Sequence, residues 1–123
     1  WRIFEGAINA KILIDFLRRL IKGATKKVFL ILDNLRVHHA KPVKAWLAER
    51  ERDIKVFFLP SYSPELNPDE RLNADLKQAI GSKVPVRTKA KLHAAANEHM
   101  QFIATNRDRV RAYFQDPIVR YAA

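Results

Sequence analysis

Val28-Phe-Leu-Ile-Leu-Asp-Asn-Leu-Arg-Val-His-His39 decides how this 123-residue chain is read. Five consecutive apolar residues, Val28 to Leu32, end directly in a carboxylate, Asp33. A run without alternation suits a strand buried on both faces of a sheet. A solvated surface acid has no reason to stand immediately behind five core residues, so Asp33 is a candidate for chemistry rather than for solubility.

Working outward, the surrounding pattern alternates strands and helices. Arg2-Ile-Phe-Glu5 predicts a short strand closed by Gly6. Asn9 predicts a helix cap, with Leu13, Phe16, Leu17 and Leu20 on one face through about Lys22 and Gly23 as the stop. Residues 41–52 predict a helix with Pro42 in its first turn and Val43, Trp46 and Leu47 inward. Ile54–Leu59 is a second β-rich run, ended by Pro60. Further helices are expected over about 68–80, from a Thr88 cap to about Ala104, and from Asn106 to Gln115. The order predicts an α/β fold with a parallel strand pair, in one domain: a core over residues 1–80 and carboxy-terminal helices over 81–123.

Composition narrows the function classes. Nearly half of the residues are apolar, which excludes a disordered tail. The formal charge of +10 is spread over both halves of the chain, as nucleic-acid binding or plain solubility requires. The absence of cysteine excludes disulfide frameworks and thiolate metal sites and is compatible with the cytosol. No apolar run approaches the roughly 20 residues of a membrane-spanning helix, and no signal peptide is evident. Trp1 is not a natural start, so the chain is expected to be the carboxy-terminal piece of something longer.

In parallel sheets ligands gather at the carboxyl ends of strands, where Asp33 is expected. The second strand leaves at the same end into Pro60-Ser-Tyr-Ser-Pro-Glu-Leu-Asn-Pro-Asp-Glu-Arg71, stiffened by Pro60, Pro64 and Pro68. That loop could return Glu70, in the first turn of the next helix, to the side of Asp33. Two carboxylates so close repel unless a divalent cation such as magnesium holds both ionised.

Leu32-Asp-Asn-Leu-Arg-Val-His-His39 and Leu59-Pro-Ser-Tyr-Ser-Pro-Glu-Leu-Asn-Pro-Asp-Glu70 together resemble the catalytic core of mariner-type DDE transposases, above all their bacterial insertion-sequence relatives. The resemblance covers roughly residues 3–80, and the Ser-Pro-Glu-Leu-Asn-Pro-x-Glu signature is its specific part. It implies an RNase H-like fold, truncated at the amino terminus with the opening strands absent. It also implies DNA cleavage and strand transfer by three carboxylates with two magnesium ions, manganese serving as substitute. Asp33 would be the second acid and Glu70 the third, and the 36 residues between them fit the family's short spacing. Asp69 stands where relatives often carry an apolar residue. The partners implied are transposon ends and target DNA, with a homodimer on DNA and no membrane, in the bacterial cytoplasm and at the nucleoid.

The first aspartate of the triad has no counterpart. Glu5 and Asp15 are the only acids ahead of Asp33, one ending a strand that corresponds to the family's third and the other inside an amphipathic helix. The chain alone is therefore expected not to cut DNA. Without a neighbouring first strand, residues 28–32 should present a bare apolar edge that pairs with another copy or takes up residues 2–5.

Other readings stand beside these. Asn67 and Glu70 could form a capping box, and Asp33-Asn34 could be a turn after a strand. His38 and His39 could touch metal or phosphate, or be one packed and one solvated ring; His93 and His99 fit a packed helix, and Trp46 fits a core anchor. Arg107, Arg109 and Arg111 beside Tyr113 could follow a DNA backbone or form a solvated face. The same holds for Lys83, Arg87, Lys89 and Lys91. Arg36, His38, Arg71 and Lys77 complete the candidate DNA contacts. The rival functions are a non-catalytic nucleic-acid-binding remnant of a transposase and a protein-interaction domain.

Overall fold

The computed structural model describes residues 1–82 and 87–123; Lys83 lies outside the described residues. The chain forms two compact units, one over Arg2–Ser63 and the other over Pro64–Ala123 together with Trp1. The division falls within the proline-spaced loop, between Ser63 and Pro64.

In the first unit, α1 spans Ala10–Lys22. It begins where Asn9 Oδ1 accepts the Ile12 N–H at 2.9 Å, and Arg19 and Lys22 complement the dipole of its last turn. Its stop is Gly23, which keeps an ordinary negative φ and donates to the Arg19 carbonyl. Strands β1 (Val28–Leu32) and β2 (Ile54–Phe58) pair in parallel, Val28 opposite Ile54 and Leu32 opposite Phe58. The Leu59 N–H continues the ladder to the Leu32 carbonyl at 2.8 Å. The crossover helix α2 covers Lys41–Ala48. It stops short of residue 52 because successive turns at Arg50 and Asp53 redirect the chain into β2.

Both helices pack on one face of the sheet. Leu13 and Leu17 of α1, Val43 and Trp46 of α2 and Ile54 of β2 form the core, joined by Val28, Leu30 and Val56. Trp46 is thus an anchor, with the Arg50 guanidinium 4.2 Å over its ring. The expectation of burial on both faces is corrected: β1 alternates, and Phe29 and Ile31 are exposed. Within this unit neither helix reaches that side, where Phe29 stacks on Phe57 with centroids 6.4 Å apart. The predicted strand at residues 2–5 does not form either. Arg2 is instead drawn to Asp15 of α1, and the sheet has two strands with no added one among the described residues. Gly6, at φ +83°, makes the turn that follows.

The second unit is helical. Its helices are α3 (Asp69–Gly81), α4 (Lys89–Thr105) and α5 (Arg107–Ala112). Thr88 caps α4 and Asn106 caps α5 through side-chain oxygens. Apolar burial is sparse, with Ile103 and Val119 enclosed but Leu92 and Phe102 exposed. His93 is exposed as well, against the expectation of packing. What binds these helices is polar. Asp75 of α3 accepts from Arg109 Nε and Nη2, both at 2.6 Å, from the Tyr113 hydroxyl, and from His99 Nε2 at 3.1 Å.

Candidate active site

Asp33 stands at the carboxyl end of β1, where the sheet delivers it. The short helical turn Arg36–His39 folds back over that end and buries His38. His38 Nδ1 donates to the main-chain oxygen of Asp33 at 2.8 Å and lies 3.1 Å from its Oδ1. That hydrogen bond goes to the carbonyl, so Oδ1 is buried with no hydrogen-bond partner. The next residue is clamped from two sides. Asn34 Oδ1 accepts from His39 Nε2, and Asn34 Nδ2 donates to Ser61 Oγ at 2.6 Å. His39 in turn packs on Phe58, ring centroids 4.3 Å apart. These bonds join the loop leaving β1 to the loop leaving β2. Tyr62, next in that loop, is fully exposed and holds a left-handed φ of 56°.

Glu70 belongs to the second unit. The proline-spaced loop ends in a helical turn at Pro64–Leu66, and α3 begins at Asp69. The capping box does not form. Asn67 Oδ1 accepts from the Asp69 N–H at 3.0 Å, whereas the Glu70 N–H bonds to the Asn67 main-chain oxygen. The Glu70 carboxylate makes no hydrogen bond or ion pair among the described residues and is exposed. It lines an open groove of about 390 Å³ with Glu65, Asn67 and Arg71, floored by Pro64, Ala74 and Ile118. The groove's shape is held by Arg71 pairing with Asp116 and by the Tyr121 hydroxyl donating to the Leu66 carbonyl.

Residues 2–93 match the DDE superfamily endonuclease family. The chain belongs to that family. No curated protein matches it. Membership makes DNA the substrate and strand breakage the reaction class, in a superfamily that generally uses divalent metal ions. The α/β architecture of the first unit agrees with it. No helix among the described residues is long and apolar enough to cross a membrane.

As a DDE family chain, it offers hard oxygen donors suited to such an ion: the partly exposed carboxylate of Asp33 and the exposed carboxylate of Glu70. Among the described residues no cluster of three His, Cys, Asp or Glu side chains is assembled. Of the two acids upstream, Asp15 is engaged by Arg2, Arg18 and Arg19. The candidate DNA contacts separate into two groups. Arg36, Lys77, Arg107 and Arg111 are exposed, as are Arg87, Lys89 and Lys91. His38 is enclosed behind Asp33, and Arg71 and Arg109 are committed to Asp116 and Asp75. Sequence reading missed the Asn34–Ser61 bond and the Asp75 network, whose partners are far apart in the chain, and the Asn34–His39 bond, which depends on the turn at Arg36–His39.

Proposed function

We propose that this chain carries two carboxylates of a mariner-type transposase site, Asp33 and Glu70, and that they hold magnesium during DNA cleavage and strand transfer. The observation that carries the reading is the Asp33 carboxylate at the carboxyl end of a sheet strand, one oxygen accepting no hydrogen bond and the side chain partly open to solvent, in a family whose reaction is DNA cleavage. Hydrogen-bond donors normally satisfy such an oxygen. The rest of the Asp33 side chain is open to solvent, where a cation would reach the carboxylate. Bound magnesium supplies charge neutralisation at the phosphodiester and makes a hydroxyl nucleophile available near neutral pH.

The protein's own groups then do the rest. Asp33 and Glu70 present oxygen ligands, the Asn34 clamp keeps the loop ends in register, and exposed Arg36, Lys77, Arg107 and Arg111 meet the DNA backbone. A third acid completes the triad in this reading, and neither Glu5 nor Asp15 supplies it, so the chain by itself binds metal weakly and does not cut. The element belongs with bacterial insertion sequences, acts at the nucleoid, and works as a dimer on its DNA.

Manganese binding followed by water-proton relaxation tests this. The reading expects a site weakened in both Asp33→Asn and Glu70→Gln. Equal binding in all three proteins, with salt-dependent DNA affinity intact, establishes the non-catalytic remnant instead. Magnesium-dependent nicking by the purified chain, lost in Asp33→Asn, overturns the claim that a third acid is needed.

A further inference from the structure

We propose that His38 is a positioning residue that fixes the Asp33 carboxylate for a cation, rather than a contact to DNA; this rests on the reading of Asp33 as a metal ligand. The His38 side chain is 7% exposed, so its ring cannot lie along a phosphate backbone. Its Nδ1 faces the main-chain oxygen of Asp33 at 2.8 Å. A carbonyl only accepts, so Nδ1 carries the proton, and the neutral ring is the Nδ1–H tautomer.

The consequence lies in where that proton does not go. Nδ1 is 3.1 Å from Asp33 Oδ1, close enough to set the carboxylate's rotation, yet the N–H is spent on the backbone. Oδ1 is thereby kept against the ring and out of solvent, while the rest of the Asp33 side chain, about two-fifths exposed, stays open to a cation. A histidine serving only to fill the loop has no need to leave a carboxylate oxygen bare beside it. The neighbouring clamp works to the same end: Asn34, tied to His39 and Ser61, keeps the residue after Asp33 from rotating the chain away. Groups that orient a metal ligand in this way change affinity by roughly 10- to 100-fold when removed.

The test compares the unmutated chain with His38→Asn, His38→Leu and Asp33→Asn. Asparagine places an N–H near the Nδ1 position, whereas leucine fills the pocket without a donor. Manganese affinity, read by water-proton relaxation, is expected to be lost in Asp33→Asn, to fall at least about tenfold in His38→Leu, and to be largely restored in His38→Asn. Binding that depends on Asp33 but is the same in His38→Leu overturns the inference. Binding indifferent to Asp33→Asn sinks the metal reading itself. The inference then falls with it. If His38→Leu does not fold, the ring tautomer of the unmutated chain decides. Long-range proton–nitrogen NMR is expected to show a protonated Nδ1; a protonated Nε2 with a bare Nδ1 overturns the positioning role.

Discussion

Replacing Asp75 by asparagine should unfasten the second unit. Asp75 keeps 11% of its side-chain surface exposed and gathers four donors: two from Arg109, one from Tyr113 and one from His99. Each hydrogen bond to a charged group contributes about 1.5–3 kcal/mol. Asparagine keeps one acceptor, but it removes the charge and turns an N–H toward the Arg109 guanidinium. Arg109 is partly exposed and regains water, which discounts the loss. The expected cost is about 2 kcal/mol, or a melting shift of roughly 8–16 °C for a unit of this size. The pH dependence follows from the sign of the shift. Hydrogen bonds from Arg109 hold the Asp75 carboxyl well below the usual carboxylate range, with Tyr113 and His99 assisting and burial opposing. A depressed folded value gives stability that is complete above the unfolded-state pKa, about 3.9, and fades as pH falls below it toward the folded value. Urea unfolding from pH 7 down to 2 should therefore show a constant gap between the two proteins above pH 5, closing below about pH 4. A gap under about 0.5 kcal/mol at pH 7, or one that widens in acid, refutes the reasoning.

Other expectations concern the core, the loop clamp and the basic surface. Leu17 is fully enclosed between α1, α2 and the sheet, so Leu17→Ala should cost about 2–5 kcal/mol in urea unfolding; a smaller loss means the core is looser than described. Asn34→Ala removes the bonds to Ser61 and His39. It should speed amide exchange in residues 33–39 and 59–63 while lowering global stability by only about 1 kcal/mol. Replacing Arg107 and Arg111 together by alanine should reduce the slope of log affinity for duplex DNA against log salt by about 2. Arg109→Ala should instead lower stability, because its guanidinium is held by Asp75; fluorescence anisotropy over a salt series separates the two effects.

Much of the fold was legible because it is written at short range. Asn9, Thr88 and Asn106 each announce a helix start, and all three side chains cap as their positions suggest. The parallel pair followed from two β-rich runs separated by a helix. Burial of β1 was misjudged for a physical reason. An uninterrupted apolar run says that both faces of a strand dislike water, not that both are covered, and here α1 and α2 share a side. Residues 2–5 failed as a strand because their β propensity found no ladder partner, while Arg2 found Asp15.

The site was legible as chemistry but not as a lattice. Asp33 and Glu70 could be singled out as candidates because each stands at the end of a recognisable element. The bonds to Asp75 span 24 to 38 residues and Asn34 reaches Ser61 between two loops, and no local pattern marks such a bond. Charge supplies the signal that was available and unused. In a chain with 23 lysines and arginines, an acid readily acquires a cationic neighbour. Asp15, Asp75 and Asp116 have each done so, and each thereby fastens part of the fold. Neither Asp33 nor Glu70 has a lysine or arginine partner among the described residues, even though one oxygen of Asp33 is buried. Glu51, Asp53 and Glu65 lack such a partner as well, so the missing partner does not single the pair out; in the proposed reading it is their place, at the carboxyl end of β1 and in the first turn of α3, that offers them to a cation that comes with the DNA.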